Sequence, residues 1–392
     1  MPYYKRNLYV LSTTIFLTAM SWNQVMPFLP LFIKEMGVER NLLAWVGWVF
    51  ACQSAASIIA QPFWGKMGDK YGRKPLAIRA GLCLSGIYFA MSFCHTPLQL
   101  ALLRFLNGAL TGFIPMSMAL IATNTPEDKA PRSIATAQTA SAAGLIIGPA
   151  LGGLLAALAG YRGSMQVSGM AVLLSTFAVW AFVQEPNRAD LAEQTSLLQD
   201  FGISLRSRVL SSIMLTVMLY GIFVASITPI LALHLSRLDG SAPVWLTGLV
   251  FSLPPSALIL TAHSWSRMGG RRGYHRNIQI GLAGMALCGL GLALIRNVWA
   301  FAGAFFVTGI FLAAITPSTG ALICTKVHAS FRGRAYGMHQ SASMLGNLIA
   351  PLLATRIGAA FGLSYVFAFI GLVALVGSAA FSFLINGRQS ED

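Results

Sequence analysis

Long apolar runs, separated by short polar segments, follow one another along the whole chain. Most are about 20 residues long, which is what an α-helix needs to cross the hydrocarbon layer of a bilayer. They do not alternate with a period of two, which excludes the strands of a membrane β-barrel. The pattern predicts an all-α membrane protein with twelve transmembrane helices, numbered here as spans 1 to 12: 7–33, 45–64, 75–94, 98–123, 133–158, 164–183, 209–235, 244–266, 278–295, 298–323, 335–355 and 364–384.

The composition agrees with a bilayer as the solvent. Of the 392 residues, 56% are hydrophobic and 10% are charged, whereas soluble domains carry roughly 25% charged residues. A soluble enzyme, a disordered chain and a coiled coil are therefore excluded. The five cysteines are scattered without a close pair, which argues against a disulfide framework and against a metal site.

The distribution of positive charge predicts the orientation in the membrane. The chain has 27 Lys and Arg against 12 Asp and Glu, and the basic residues lie in short groups between the apolar runs. That placement does not fit a nucleic-acid partner, which would require a basic soluble face. If both termini are cytoplasmic, twenty basic residues fall on inner segments and six on outer ones, as the positive-inside rule requires.

The two halves of the chain resemble each other. The run 64–72 matches 265–273 at an offset of 201, and Gly144 in span 5 matches Gly346 in span 11 at an offset of 202. A constant offset over several helices indicates parallel half-repeats. The sequence therefore predicts an N-terminal six-helix bundle over 1–183, a polar cytoplasmic linker over 184–208 and a C-terminal six-helix bundle over 209–392.

The loop between spans 2 and 3 combines glycines, basic residues and one carboxylate. Gly65 and Gly72 allow a tight turn, and Asp69 is followed by Arg73. One interpretation is a solvated turn that carries inner positive charge. The other is a gating loop, in which a carboxylate at the N-terminus of a neighbouring helix holds the helix ends together. The C-terminal copy has Gly270 in place of Asp69, so a latch there should be weaker.

Span 4 contains Arg104, with Gly108 and Gly112 on the same helical face. An arginine at the centre of a span costs about 2.5–3.5 kcal/mol on insertion scales, so it is expected to face the bundle interior. The alternative is that Arg104 extends from a helix end to the interface. The C-terminal counterpart is Phe305, so only one half has this arginine.

Span 5 contains Gly144, Gly148, Pro149 and Gly152. The three glycines form a flat strip at a spacing of four residues, which predicts close packing against another helix. Pro149 removes one backbone donor and bends the helix.

These motifs carry a resemblance to the major facilitator superfamily. The loop 65–74 resembles its signature between helices 2 and 3, and span 4 resembles its helix 4 motif, whose arginine is linked to proton coupling. The glycine run of span 5 is similar to the helix 5 motif of its exporters, above all the drug:proton antiporters. Val25–Pro30 and Pro62–Arg79 also resemble bacterial multidrug exporters.

The resemblance implies a function and a setting. It implies two pseudo-symmetric six-helix bundles that export small amphipathic compounds by alternating access, with the proton as coupling ion. It further implies a monomer in the bacterial inner membrane, without a cofactor or a metal.

The resemblance also implies a substrate cavity, because spans 1, 4, 7 and 10 of the superfamily face the centre and spans 2, 5, 8 and 11 flank it. For each Gln or Asn, a hydrogen bond between helices is an equal alternative. For each Met or aromatic residue, the alternative is packing or lipid contact. The implied cavity residues are Met20, Asn23, Gln24, Gln53, Arg104, Gln138, Tyr220, Phe223, Phe305, His339, Ser343 and Asn347.

The predicted spans contain no Asp or Glu. A proton-coupled exporter often uses a carboxylate inside the membrane as the proton carrier. We expect Arg104 and His339 to take part in proton coupling here, because histidine titrates near neutral pH. The alternatives are a neutral His339 bonded to a neighbouring helix, and a uniporter without proton coupling.

Three other functions remain as alternatives. The first is a transporter for one physiological solute, such as a siderophore, a sugar or a lipid precursor. The second is a membrane-embedded enzyme, which is disfavoured because the spans contain no nucleophile elbow, metal cluster or phosphate-binding loop. The third is a scaffold or receptor, which is disfavoured because the gating-loop motifs are retained.

Overall fold

A computed structural model describes residues 2–110, 112–186, 207–240, 243–327 and 331–386, and in these ranges the regular secondary structure is helical. Each predicted span coincides with helical structure: most with one helix, three with two consecutive helices, and spans 5 and 6 with a shared one. The helices, in chain order, are Tyr3–Val25 and Leu29–Glu35 (span 1), Leu42–Tyr71 (span 2), Arg73–Ser92 (span 3), Pro97–Leu110 and Phe113–Thr123 (span 4), Ala130–Phe182 (spans 5 and 6), Arg208–Ile227 and Leu231–Leu238 (span 7), Val244–Arg272 (span 8), Tyr274–Leu294 (span 9), Val298–Lys326 (span 10), Arg332–Ala360 (span 11) and Leu363–Asn386 (span 12).

Several spans are broken at residues that cannot continue an α-helix. Span 1 passes through a 3₁₀ turn at Met26–Phe28, where Pro27 lacks a backbone donor. The second helix of span 4 follows Gly112, whose φ of 138° lies in the region that favours glycine. Spans 5 and 6 form one helical run of 53 residues, interrupted only at Gly160 with φ 71° and ψ 173°. The loop expected between them is therefore reduced to a single non-helical residue.

Nine helices in the described part of the chain are long and apolar enough to cross a membrane, judged by length and composition. They contain ten of the predicted spans, because Ala130–Phe182 includes two; the helices of spans 1 and 11 are outside this set. Large apolar side chains also lie on the surface, with Phe383 82%, Leu294 79% and Ile59 78% exposed. Apolar surface of this kind is stable against lipid and not against water.

The described helices divide into two compact units. The first comprises Met1–Ala192 and Ala242–Ser252, and the second comprises Glu193–Ser241 and Leu253–Asp392. The boundary therefore falls inside span 8, whose first turns belong to the first unit. Within that unit Ser252 donates a hydrogen bond to the carbonyl of Ile146 in span 5 at 2.6 Å. Of the predicted linker 184–208, residues 187–206 lie outside the described residues.

The first unit has two apolar cores at different levels of its bundle. One packs Phe32, Tyr88 and Leu100 together with other side chains of spans 1, 2, 3, 4 and 6. The other contains Leu11 and Phe113 with residues of spans 3, 5 and 6. Burial of these side chains fixes how the helices are rotated about their axes, and this rotation decides which polar residues face inward.

The internal repeat is visible as equivalent contacts in each unit. The indole of Trp64 donates to the carbonyl of Ala109 at 2.6 Å, and that of Trp265 donates to Ile310 at 2.7 Å. Gly72 and Gly273 have nearly the same backbone, with φ of 99° and 92°. The two bundles are therefore built alike where their sequences match.

Candidate functional site

The loop between spans 2 and 3 contacts the ends of several helices of the first unit. We call the end of the unit that carries Lys66, Lys70, Arg73 and Lys74 the basic end. Arg73, at the start of span 3, pairs at 2.9 Å with Asp69, in the last turn of span 2. Its other terminal nitrogen, Nη1, donates to the carbonyl of Ala119 near the end of span 4 at 2.8 Å. One guanidinium thus connects spans 2, 3 and 4.

A carboxylate at a helix N-terminus is present at the basic end, but it belongs to Glu185 and not to Asp69. Oε1 of Glu185 accepts from the backbone N–H of Arg73 at 2.7 Å, and Oε2 accepts from that of Lys74 at 2.9 Å. These donors open the helix of span 3 and have no partner within it. Sequence reasoning missed Glu185, although it lies two residues after the end of span 6, on the side of the basic loop.

Two further contacts attach the end of span 6. Nζ of Lys74 donates to the carbonyls of Trp180 and Val183 at 3.0 and 2.7 Å. A cation at carbonyls that end a helix is favoured by the helix dipole. The side-chain amide of Asn7 both donates to and accepts from the backbone of Gln184, at 2.6 and 3.0 Å. Spans 1, 3 and 6 are therefore joined at this end.

The second unit keeps the glycines and several basic residues of this motif but lacks its ion pair. Gly270 and Tyr274 stand at the positions equivalent to Asp69 and Arg73, so the ion pair has no counterpart there. Instead, the buried Asn277 donates to the carbonyl of Trp265 at 2.7 Å and to Ser318 at 3.3 Å. Hydrogen bonds between uncharged groups therefore connect spans 8, 9 and 10 at the equivalent end of the second unit.

The glycine strip of span 5 packs directly on the backbone of span 1. A Cβ added at Gly144 would lie 2.7 Å from the backbone of Met20, and one at Gly148 would lie 2.6 Å from the Met20 carbonyl. One at Gly152 would collide with the backbone of Gln24. The matching Gly346 of span 11 packs in the same way on Met218 in span 7. Only glycine permits this approach of two helices.

The side-chain amides of Gln24 and Asn23 in span 1 donate hydrogen bonds to protein groups. Gln24 is fully buried, and its Nε2 donates to the carbonyl and the hydroxyl of Ser164 in span 6, at 2.8 and 3.1 Å. Asn23 donates to the carbonyl of Ala19 on its own helix at 2.8 Å. Gln24 thus forms the interhelical bond that the sequence left open as the alternative to substrate contact.

Arg104 lies inside the first unit and is only 2% exposed. Its guanidinium carbon is 5.7 Å from the ring centre of Trp22 and 5.6 Å from that of Phe50. The ionisable groups that interact with its charge are Tyr88 and Cys52. Its Nε and Nη1 have no hydrogen-bond partner among the residues that the structure describes. The rings of Trp22 and Phe50 therefore hold this guanidinium through cation–π contacts.

In the second unit, a polar contact joins spans 10 and 11, and Tyr220 of span 7 is half-buried. Nε2 of His339 lies 3.1 Å from the hydroxyl of Thr319. His339 is half-buried and its tautomer decides which of the two atoms donates. The structure thus brings His339 onto span 10, within the same unit.

An aromatic cluster surrounds a histidine that sequence reasoning missed. His234 is 3% exposed, and its ring centre lies 5.3 Å from that of Phe301 and 4.9 Å from that of Phe367. Phe305 joins this cluster through Phe301 at 5.9 Å. The position of His234 inside predicted span 7 was the signal that could have found it.

The remaining predicted cavity residues differ in exposure. Phe223 and Gln53 are buried, whereas Gln138 is exposed at the start of span 5. The residues with intermediate exposure are Met20, Ser343 and Asn347. Across the described ranges, no three His, Cys, Asp or Glu side chains lie close enough together to hold a metal ion.

Comparison with known proteins identifies the family. The sequence model of the Major Facilitator Superfamily matches residues 11–298 and, in a second match, 265–392. The chain belongs to this superfamily. Its members are transporters, which sets the enzyme alternative aside.

Relatives of known name cover almost the full length of this superfamily member. The chain is 32% identical over 376 residues to "Multidrug resistance protein MdtG" of Proteus mirabilis, covering 94% of this chain and 93% of the relative. It is also 32% identical over 392 residues to the protein of that name from Yersinia enterocolitica, covering 98% and 94%.

Solved structures of transporters show the same fold. A mutant of the nucleoside transporter NupG aligns with a TM-score of 0.83 at 14% identity, over 96% of this chain and 99% of that one. A bacterial homolog of the human lysosomal transporter Spinster, inward-facing and occupied, aligns with a TM-score of 0.83 at 13% identity, over 98% and 97%. At such identities the likeness concerns the fold alone.

Proposed function

We propose that this protein is a secondary active transporter that exports small amphipathic compounds, including drugs, by alternating access. The observation that carries the proposal is the identity of about one third, over more than nine-tenths of the chain, to relatives named multidrug resistance proteins. The packing of the span 5 glycines on span 1 supports it, because this motif resembles that of exporters in the superfamily.

We place the protein in the bacterial inner membrane, as a monomer with both termini in the cytoplasm. In this orientation the basic end is cytoplasmic, in keeping with the excess of positive charge on inner segments. Glu185, Arg73 and Lys74 then clamp the inner ends of spans 3, 4 and 6. This clamp would let the N-terminal bundle move as one body while the cavity changes the side to which it opens.

Proton antiport would drive export, with His339 and Arg104 as the coupling residues. His339 is half-buried and bonded to Thr319, so protonation would change that contact, since a charged imidazole is a donor at both nitrogens. In the tautomer with its proton on Nδ1, Nε2 accepts from Thr319, and protonation of Nε2 would reverse that bond and so link proton binding to the packing of spans 10 and 11. The small-molecule cargo would bind among the half-buried polar and aromatic residues of spans 7 and 11, such as Tyr220 and Asn347.

The test is efflux of ethidium from whole cells, with and without an uncoupler. Cells with the protein should retain less dye than cells without it, and the uncoupler should abolish the difference. His339→Gln should remove most of the uncoupler-sensitive efflux. His263→Gln, at an exposed histidine of span 8, is the matched control and should retain it. Full proton-driven efflux in His339→Gln would exclude this coupling role.

A uniporter, or a transporter for one physiological solute, is the second candidate. It is favoured by the absence of Asp and Glu from the predicted spans, since a carboxylate is the common proton carrier. Dye efflux that continues unchanged with the uncoupler would identify the uniporter. Failure to move any of several unrelated dyes would favour a single solute.

A further inference from the structure

Arginines of the first unit differ in how their charge is satisfied. Arg73 donates to Asp69 and to the carbonyl of Ala119. Arg162 donates to the carbonyls of Ser92 and Cys94 at 2.6 and 2.8 Å. Arg104 is the most deeply buried of the three, yet its Nε and Nη1 have no acceptor within the described part of the chain. Leaving donors of a buried cation unpaired is costly, so the site favours an acceptor.

Other unpaired polar atoms accompany this guanidinium. The phenol of Tyr88, on span 3, is fully buried and its hydroxyl has no partner. Asn107 lies one turn after Arg104 on the same helix, is fully buried, and neither atom of its amide has a partner. A hydroxyl and an amide can both donate to an anion beside a guanidinium.

Across the described ranges, no carboxylate forms an ion pair with Arg104. The predicted spans contain no Asp or Glu, and the ionisable groups that interact with Arg104 are Tyr88 and Cys52. The rings of Trp22 and Phe50 offer their faces at 5.7 and 5.6 Å, which leaves the in-plane N–H groups of the guanidinium for another ligand. The surroundings are therefore one fixed positive charge, neutral donors and aromatic walls.

We propose that Arg104, Tyr88 and Asn107 form a binding site for a small monovalent anion inside the first unit. The shared chemistry is a single negative charge with compact acceptor atoms, which either free chloride or the carboxylate of an acidic cargo provides. The anion neutralises the guanidinium in the membrane interior and accepts from Nε and Nη1. The site concerns anion binding, so it stands or falls independently of drug export.

The test is thermal unfolding of the full-length protein in detergent, with sodium gluconate replaced stepwise by sodium chloride or bromide at constant ionic strength. Gluconate is the reference because burying its hydroxyl groups between aromatic walls is costly, whereas halides and an aromatic carboxylate carry no such groups. The melting temperature of the wild type should rise and saturate with halide, as expected for a ligand that binds only the folded state. Arg162→Gln, whose guanidinium is already satisfied, should show the same rise.

Variants of the site itself should lose the effect. Arg104→Gln should show no halide-dependent rise. If Arg104→Gln does not fold, Tyr88→Phe tests the same site. Losing one hydrogen bond to the anion should raise the halide concentration at half-saturation about fivefold. Bromide in crystals should also give an anomalous diffraction peak beside the Arg104 guanidinium. The proposal would be overturned if neither the halides nor benzoate, the carboxylate probe, raised the melting temperature of the wild type. It would also be overturned if the melting temperature of Arg104→Gln rose as much as that of the wild type.

Benzoate separates the two sources of the anion. If benzoate raises the melting temperature and abolishes the anomalous peak of bromide beside Arg104, the site accepts a cargo carboxylate. If it does neither while the halides act, the site is a chloride site. Both results support anion binding at Arg104 and differ only in the ligand that occupies it.

Discussion

Glu185 caps the helix that begins at Arg73, with its two carboxylate oxygens 2.7 and 2.9 Å from the backbone nitrogens of Arg73 and Lys74. The two residues are more than one hundred positions apart, so this contact ties the end of span 6 to the start of span 3. Negative charge at a helix N-terminus interacts favourably with the dipole and satisfies donors that the helix cannot.

Replacing Glu185 with Gln should therefore weaken the first unit. The amide retains one acceptor oxygen but loses the charge and the second acceptor. We expect a cost of about 1 kcal/mol, the usual value for losing a cap. Thermal unfolding in detergent measures this as a lower melting temperature. Glu127→Gln, at an exposed loop position, is the control, and an equal effect of both substitutions would contradict the cap.

The paired tryptophans give a prediction that tests the internal repeat. Trp64→Phe and Trp265→Phe each remove the donor to the carbonyl of Ala109 or Ile310 while keeping most of the apolar ring. Each should destabilise the protein by about 0.5–1.5 kcal/mol, and by similar amounts. Trp299→Phe, at a residue 68% exposed, should have little effect. A large effect at one tryptophan and none at the other would mean that the two contacts are not equivalent.

Gly148 should tolerate no side chain. A methyl group there would approach the Met20 carbonyl to 2.6 Å and Cβ of Asn23 to 2.8 Å, so spans 1 and 5 would have to separate. We expect Gly148→Ala to cost about 1–3 kcal/mol, as for overpacking in general. Gly86→Ala is the matched control, because a Cβ at Gly86 meets no atom within 4 Å. Equal melting temperatures for the two variants would show that the strip is not close-packed.

The sequence was sufficient to predict the helices and the repeat. Every predicted span coincides with helical structure, because runs of apolar residues are long and few other structures satisfy a backbone in lipid. The glycine spacing of span 5 likewise predicted a close approach to another helix. It did not predict which helix, since that depends on how the whole bundle is arranged.

Contacts that depend on helix rotation and distant pairing were not predictable. The sequence offered Asp69 as the carboxylate at a helix N-terminus, but Asp69 pairs with Arg73 and Glu185 takes that position. The sequence allowed Gln24 either to contact the cargo or to bond to another helix. In the structure it donates a hydrogen bond to Ser164. In each case the partner lies far along the chain, so only the folded bundle brings the groups together.

The most direct test of proton-driven export uses inverted membrane vesicles that contain the protein. The vesicle lumen is acidified and the vesicles are diluted into neutral buffer with ethidium. The account predicts dye accumulation in the lumen while the pH gradient lasts, and its loss when nigericin collapses the gradient. Accumulation equal to that of vesicles without the protein, or flux that is the same with and without the gradient, would contradict it.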